Sequence, residues 1–157
     1  MRADVASQPV LASGVVGPGF IAMDAEGNPV KLSDYRGKVV VLDFWASWCA
    51  PCKASMPHAN AVVKKLQRLK LPVVLLAVDD GEERMPFDAW VRANSHKYSS
   101  IHFLHVAKKG SVSTSMYMVS GIPTQFVIDA SGVIRDSIIG YDGPTKSLEN
   151  AIRLALK

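Results

Sequence analysis

The sequence predicts an α/β domain: a central mixed β-sheet with helices on both faces. Three observations lead there. Val39–Trp45 and Val73–Val78 are near-continuous apolar segments of strand length, the pattern of strands covered on both sides in the middle of a sheet. Between them, in Lys53–Lys70, Ala59, Val62, Val63, Leu66 and Leu69 recur at helical spacing, with Lys64, Lys65, Arg68 and Lys70 mostly opposite. Further on, two short strands around a glycine turn and a last amphipathic helix follow, so the chain reads strand–helix–strand, then hairpin and helix.

Taken in order, residues 1–18 are small, proline- and glycine-bearing and almost uncharged, and read as a flexible lead-in to one domain over 19–157. No secretory signal is visible, because Asp4 follows Arg2 closely and Ser13 and Gly14 interrupt Val10–Val16. A cytosolic chain and a chain without its leader fit this equally. Gly19–Met23 and Pro29–Leu32 flank the turn Ala25–Asn28 as a hairpin, and Ser33–Gly37 is a tight turn before the first central strand. Pro72 ends the long helix. The acidic turn Asp79–Glu83 leads to a helix containing Phe87, Trp90 and Val91. His102–His105 reads as a short strand and Val112–Val119 as a short helix. Gln125–Ile128 and Val133–Ile139 form a hairpin around Asp129–Gly132. Pro144 is placed to open the last helix, with Leu148, Ile152 and Leu156 on one face.

Composition narrows the class. A chain of 157 residues, 48% hydrophobic and 20% charged, is neither disordered nor low-complexity. At that length one core buries roughly 70% of the unfolded surface. A net charge of +4 is too small to indicate nucleic acid, and no apolar run approaches the roughly 18 residues of a membrane span. Two cysteines do not make the disulfide framework of a small secreted scaffold. They sit together, in Trp48-Cys49-Ala50-Pro51-Cys52, at the carboxyl end of a central strand and the start of a helix, where open α/β sheets usually carry their chemistry.

Cysteines three apart across a helix start can close and reopen a disulfide with little rearrangement. Cys49, at or near the N-cap, meets unpaired N–H groups and the positive end of the helix dipole, which favour thiolate over thiol. Cys52 lies one turn in and would resolve a mixed disulfide after losing its own proton. Pro51 fits the first turn, where its missing N–H is not needed. A permanent structural disulfide is disfavoured because so short a loop constrains little entropy. Zinc on the cysteine pair with His102 and His105 is disfavoured too: the gap is far longer than a finger's, and histidines three apart on a strand point to opposite faces. No metal is assigned, and His58, His96, His102 and His105 read as surface or core-edge residues.

The segment Asp43–Lys53, with Pro57 five residues beyond Cys52, resembles the thioredoxin active site, and Gly121-Ile122-Pro123-Thr124 resembles that family's cis-proline loop. Leu32–Val40 and Phe126–Gly132 are similar to the TlpA/ResA branch, extracytoplasmic bacterial thiol–disulfide oxidoreductases with an added N-terminal hairpin and a central insert. The likeness runs from Gly19 to Leu156. It implies a thioredoxin-like fold and a Cys49/Cys52 dithiol–disulfide cycle that reduces disulfides in protein substrates, with no cofactor beyond that redox-active disulfide. It further implies a docking surface of Trp48, Ala50, Pro51, Ile122 and Pro123, with Pro123 cis beside the cysteines and the Ile122 backbone pairing with substrate. Pro57 is expected to kink the active-site helix. Two acids carry over. Asp43 matches an aspartate buried beneath the second cysteine that helps move its proton, and a carboxyl in an apolar strand is costly unless paired or neutral. Glu82 matches an acid of the insert that influences active-site protonation. Either Asp43 or Glu82 would serve Cys52 as base.

Ala50-Pro51 places no cation beside Cys49, so the expected poise is reducing or intermediate rather than strongly oxidising. Three rival classes compete with this reading. A thiol peroxidase needs a proline- and threonine-rich loop around its cysteine, where this chain has Trp48 and a second cysteine three residues on. A metal-binding module and a redox-inert docking domain are the others. By resemblance, the partners are a disulfide-bearing protein such as an apocytochrome c or envelope protein, and a membrane thiol-electron donor. No nucleic acid partner is implied, the chain is expected to be a monomer, and the setting is the periplasm or the outer side of the membrane, with the cytoplasm an alternative. The five Lys/Arg of Lys53–Lys70, with no acid among them, read as a solvated face.

Overall fold

The computed structural model describes residues 10–157, which form β1 (Ile21–Met23), β2 (Pro29–Lys31), β3 (Val39–Phe44), α1 (Ala50–Arg68), β4 (Val73–Asp79), α2 (Arg84–Asn94), β5 (Ile101–His105), β6 (Thr124–Ile128), β7 (Ile134–Ile139) and α3 (Ser147–Ala155). All seven strands belong to one sheet in the order β2-β1-β5-β4-β3-β6-β7. Strands β3 and β4 pair in parallel from Val39↔Val73 to Phe44↔Val78, and α1 supplies the crossover that parallel neighbours require. β5 extends the parallel set, while β6 and β7 run antiparallel on the other flank. The hairpin β1–β2 joins the sheet through the single pair Met23↔His105. β3, β4 and β6 are buried at every position, as their apolar sequence demands.

Helices lie on both faces but unequally, with the short 3-10 helix Leu32–Tyr35 on one and the three α-helices on the other. All three pack on one face, where Val39, Val41, Trp45, Leu75, Ala77, Phe103 and Val127 of the sheet meet side chains of α1, α2 and α3. Val40, Leu42, Phe44, Leu76, Val78, Leu104 and Phe126 form the other face. Phe20, Ala22 and Leu32 cover it together with Val112, Tyr117 and Val119, and the rings of Phe20 and Tyr117 meet edge to face. The short helix expected over Val112–Val119 is instead a run of turns. The N–H groups of Ser115, Tyr117 and Val119 reach back to Gly110, Val112 and Ser113, and Gly110 and Met118 have positive φ. Ser111, Ser113, Thr114 and Ser115 have hydroxyls that compete for the backbone, which favours turns over a helical ladder. Asp80 fixes the segment from outside, its carboxylate accepting from Val112 N (3.1 Å), Ser113 N (2.8 Å) and Ser113 Oγ (2.7 Å).

Three smaller differences have local causes. Helix α3 starts at Ser147, three residues after Pro144, because the Thr145 hydroxyl takes the Ser147 N–H and holds Pro144–Lys146 in a loop. Helix α1 starts as expected, with Cys49 as its N-cap and Ala50 its first residue, and runs on through Pro57, which lacks the N–H that would bond Lys53 O. Lys65 on its basic face is not free of acids, since Glu149 of α3 lies 3.0 Å away. Of the expected lead-in, residues 1–9 lie outside the described residues. From Val10 onward the strand of chain is docked: Leu11 N–H donates to Tyr117 O (3.1 Å), Gly14 N–H to Ile134 O (2.7 Å) and Gly17 N–H to Gly132 O (2.8 Å).

Asp80→Ala is expected to lower stability by about 1–3 kcal/mol, since it leaves two buried N–H groups without an acceptor. Urea unfolding of the oxidised protein measures this, and an unchanged midpoint would refute Asp80's role in holding the turns.

Candidate active site

β3 ends at Phe44, and Trp45-Ala46-Ser47-Trp48 carries the chain to Cys49, the N-cap of α1. Cys49 is extended (φ −92°, ψ 105°), and its Sγ accepts the Cys52 N–H at 3.3 Å. This is the position that favours a thiolate, because the free N–H groups and dipole of α1 converge there. Pro51 lies in the first turn. Cys49 and Cys52 are joined in a disulfide and both are buried. Cys49 Sγ also lies 3.8 Å from the Ile122 carbonyl oxygen, and the Ile122–Pro123 peptide bond is cis. The Thr124 hydroxyl donates to Gly121 O (2.7 Å) and closes that turn.

Trp48 and Trp45, three residues apart, have opposite surroundings. Trp48 is 63% exposed beside Cys49, and its indole N–H donates to Gly81 O (3.3 Å). Trp45 is buried against Phe87, Trp90 and Phe103 on the helical side of the sheet. An open groove of about 500 Å³ runs along Trp48, Ile122, Gly121, Val119, Thr114 and Lys109. A smaller pocket of about 160 Å³ lies past Pro123, lined by Ser55, His58, Gln125, Tyr141 and Leu148 among others. The cis-proline loop contributes to both.

Asp43 and Glu82 are both buried near this end of the sheet, in different ways. Asp43 alternates with Val41 and Trp45, so its side chain points to the helical face that carries Cys52. Burial pushes its carboxyl up to about 7, only partly offset by the Gln125 amide, which donates to Oδ2 at 3.2 Å; Oδ1 has no partner among the described residues. Glu82 instead holds the loop before Cys49, with Oε2 accepting Ser47 N–H (2.6 Å) and Oε1 accepting Ser47 Oγ–H (2.7 Å). Burial opposes its ionisation, but hydrogen bonds from Asp79 and Ser47 outweigh this and keep it below the ordinary glutamate value.

Sequence reasoning did not single out Ser47 or Gln125, named Asp79 only as part of an acidic turn, and read His105 as a surface or core-edge residue. Two signals pointed to them. A glutamine stands in the otherwise apolar strand after Pro123, and the acidic turn after β4 closes the parallel neighbour of β3, so both strand ends open into the same crevice. His105 is buried rather than at a surface or core edge, its Nε2 2.8 Å from Glu82 O and its ring against Phe87. His102 and His105 differ as the strand requires, the first exposed and the second buried. Among the described residues no cluster of three or more His, Cys, Asp or Glu is arranged to hold a metal. No helix there is long and apolar enough to cross a membrane.

Residues 14–137 match the family model described as AhpC/TSA. The thiol–disulfide oxidoreductase ResA of Geobacillus thermodenitrificans is 35% identical over 133 residues, covering 83% of this chain and 71% of that protein. ResA of Bacillus cereus is 32% identical over 127 residues, covering 81% and 69%. In three dimensions the chain is similar to a Chlorobium tepidum protein assigned as the thiol:disulfide interchange protein DsbE, with a TM-score of 0.72 at 31% identity over 94% of this chain and 99% of that one. It is also similar to the exposed lipoprotein thioredoxin of Streptococcus pneumoniae, with a TM-score of 0.67 at 29% identity over 88% and 98%. The fold is thioredoxin-like, and a redox-active pair at the N-terminus of α1 implies a disulfide-bearing substrate. The chain belongs to the AhpC/TSA family, in its ResA-like branch of thiol–disulfide oxidoreductases.

Proposed function

We propose that the protein reduces disulfides in protein substrates outside the cytoplasm, with Cys49 as nucleophile and Cys52 as resolving thiol. One observation carries the reading: the Cys49 sulfur caps α1 and accepts the Cys52 N–H, next to exposed Trp48 and the Ile122 carbonyl. With the pair reduced, the Cys49 thiolate attacks one sulfur of the substrate disulfide, and the other substrate sulfur leaves and takes a proton from water. Asp43 accepts the Cys52 proton. The Cys52 thiolate then attacks Cys49 Sγ, closing the internal disulfide and releasing the second substrate thiol, so two electrons pass to the substrate. Asp43 suits the base because it faces the Cys52 side of the sheet and titrates near neutrality. Glu82 is already engaged on Ser47 and acts on the loop instead.

An extended substrate segment would lie along Trp48, Ala50, Pro51, Ile122 and Pro123, using the groove and its apolar rim. The absence of a cation between the cysteines supports a reducing or intermediate poise. A membrane thiol-electron donor would restore the dithiol, and apocytochrome c or other envelope proteins are the substrate class, with the chain acting as a monomer. The likeness to a lipoprotein described as exposed supports the extracytoplasmic setting.

Cys49→Ser is expected to abolish insulin reduction, and Cys52→Ser to accumulate mixed disulfides with host envelope proteins. Retained insulin reduction in Cys49→Ser would reject the reading. Asp43→Asn should slow resolution of the mixed disulfide at neutral pH by about a hundredfold, the lower end of what a positioned base contributes. It should also stabilise the oxidised fold. The Asp43 pKa is raised from 3.8 to about 7, so the folded state holds a proton that the unfolded state releases, and burial destabilises increasingly as pH climbs between those values. The gain should be absent below pH about 4 and full above pH about 7, reaching about 4 kcal/mol. Urea midpoints across that range measure it, and a gain independent of pH would reject a raised Asp43 pKa.

A further inference from the structure

Of the four carboxyl groups between Asp79 and Glu83, three are buried, and only two of those have partners that account for a full negative charge. Asp80 accepts three hydrogen bonds from Val112 and Ser113, and Glu82 uses both oxygens on Ser47. Asp79 is wholly buried. Its Oδ1 accepts only the Gly81 N–H (3.0 Å), and its Oδ2 receives no hydrogen bond among the described residues. Its carboxyl lies within hydrogen-bonding reach of the Glu82 carboxyl. Two ionised carboxyls in contact inside the protein repel, whereas one proton between them turns repulsion into a hydrogen bond. The proton belongs on Asp79, because the Glu82 oxygens already serve Ser47.

We propose that Asp79 is a positioning residue of the redox site, donating a carboxyl proton to Glu82 so that both Glu82 oxygens stay on Ser47. Ser47 stands two residues before Cys49, and Cys49 N–H is bonded to Ala46 O (3.1 Å), so the clamp fixes the loop that aims the attacking sulfur. The same turn carries Gly81 O, the acceptor for Trp48. Burial, with the hydrogen bond to Glu82 next, pushes the Asp79 carboxyl up to about 9. The charged and titratable groups around the pair are few. Asp80 adjoins it in the turn, Glu83 follows it exposed to water, His105 of β5 lies beside Glu82, Lys109 is across the groove, and Arg84 of α2 is engaged with Asp88. Asp80 and Glu82 add to the tendency of Asp79 to keep its proton.

The inference rests on Cys49 being the attacking thiol, but its first test does not. Infrared spectra of the oxidised protein, in which neither cysteine titrates, should show a protonated-carboxyl C=O band at neutral pH that disappears in Asp79→Asn and fades as pH is raised past about 9. Asp43 gives its own band, which the Asp79 substitution leaves in place. In the second test, the alkylation rate of Cys49 in reduced protein at neutral pH should fall about tenfold in Asp79→Leu, the scale of one hydrogen bond to a charged group. Asp79→Asn, whose amide can still donate to Glu82, should restore it. Absence of a band specific to Asp79 would overturn the proposal even if the leucine variant fails to fold, as would an asparagine variant as slow as the leucine one. Failure of Cys49→Ser to abolish insulin reduction would instead strike the functional reading and leave the infrared result standing.

Discussion

The turn Asp79–Glu82 is the point through which the rest of the site is held. It closes β4, the central parallel neighbour of β3, and therefore emerges next to the loop that carries Cys49. Glu82 and Gly81 bind Ser47 and Trp48 on one side, while Asp80 binds Val112 and Ser113 on the other. The two sides of the groove beside Cys49 are thus tied to a single four-residue turn. Strand pairing sets where that turn sits, and the hydrogen bonds of its carboxyls set where the groove walls sit.

The electrostatics follow from this geometry. The chain is net positive, yet the interior around its redox pair is acidic, with Asp43, Asp79, Asp80 and Glu82 all buried. A carboxylate taken out of water is tolerated when backbone and hydroxyl donors converge on it, as at Asp80 and Glu82, and otherwise its pKa rises. Asp43 and Asp79 are the two whose donors fall short, and they carry the raised values. The polarity of the site is divided accordingly: Asp80 and Glu82 hold the loops, while Asp43 and Asp79 each keep an oxygen without a partner among the described residues. Gln125, itself buried, bonds Asp43 and also lines the pocket beyond Pro123.

Much of this was legible because it is local. The buried strands announce themselves by unbroken apolar runs, α1 by its periodicity, and the cysteine pair and Ile122-Pro123 by short motifs. What escaped depends on contacts between distant segments. Ser47 meets Glu82 across 35 residues, and Gln125 meets Asp43 across 82, and both pairings require the registers of β3 with β4 and β6. The segment 112–119 escaped for another reason. Its apolar spacing resembles a short helix, but serine hydroxyls and the Asp80 carboxylate offer the backbone better partners than its own ladder. Glu82 was singled out only by its likeness to an acid of the insert, and its engagement with Ser47 was not legible at all.

The crowding of every α-helix onto one side of the sheet has a mechanical consequence. The wall of the groove next to Cys49 belongs to a block of helices packed on strands, whereas the facing wall is a run of turns with no regular ladder of its own. What anchors those turns is side-chain burial, since Val112, Tyr117 and Val119 are sunk in the core and Tyr117 packs against Phe44 and Phe126. Buried apolar contacts of this kind resist local opening even where backbone pairing is sparse. The crevice therefore has one jaw built from backbone ladders and one built from side chains, and the two answer to different substitutions.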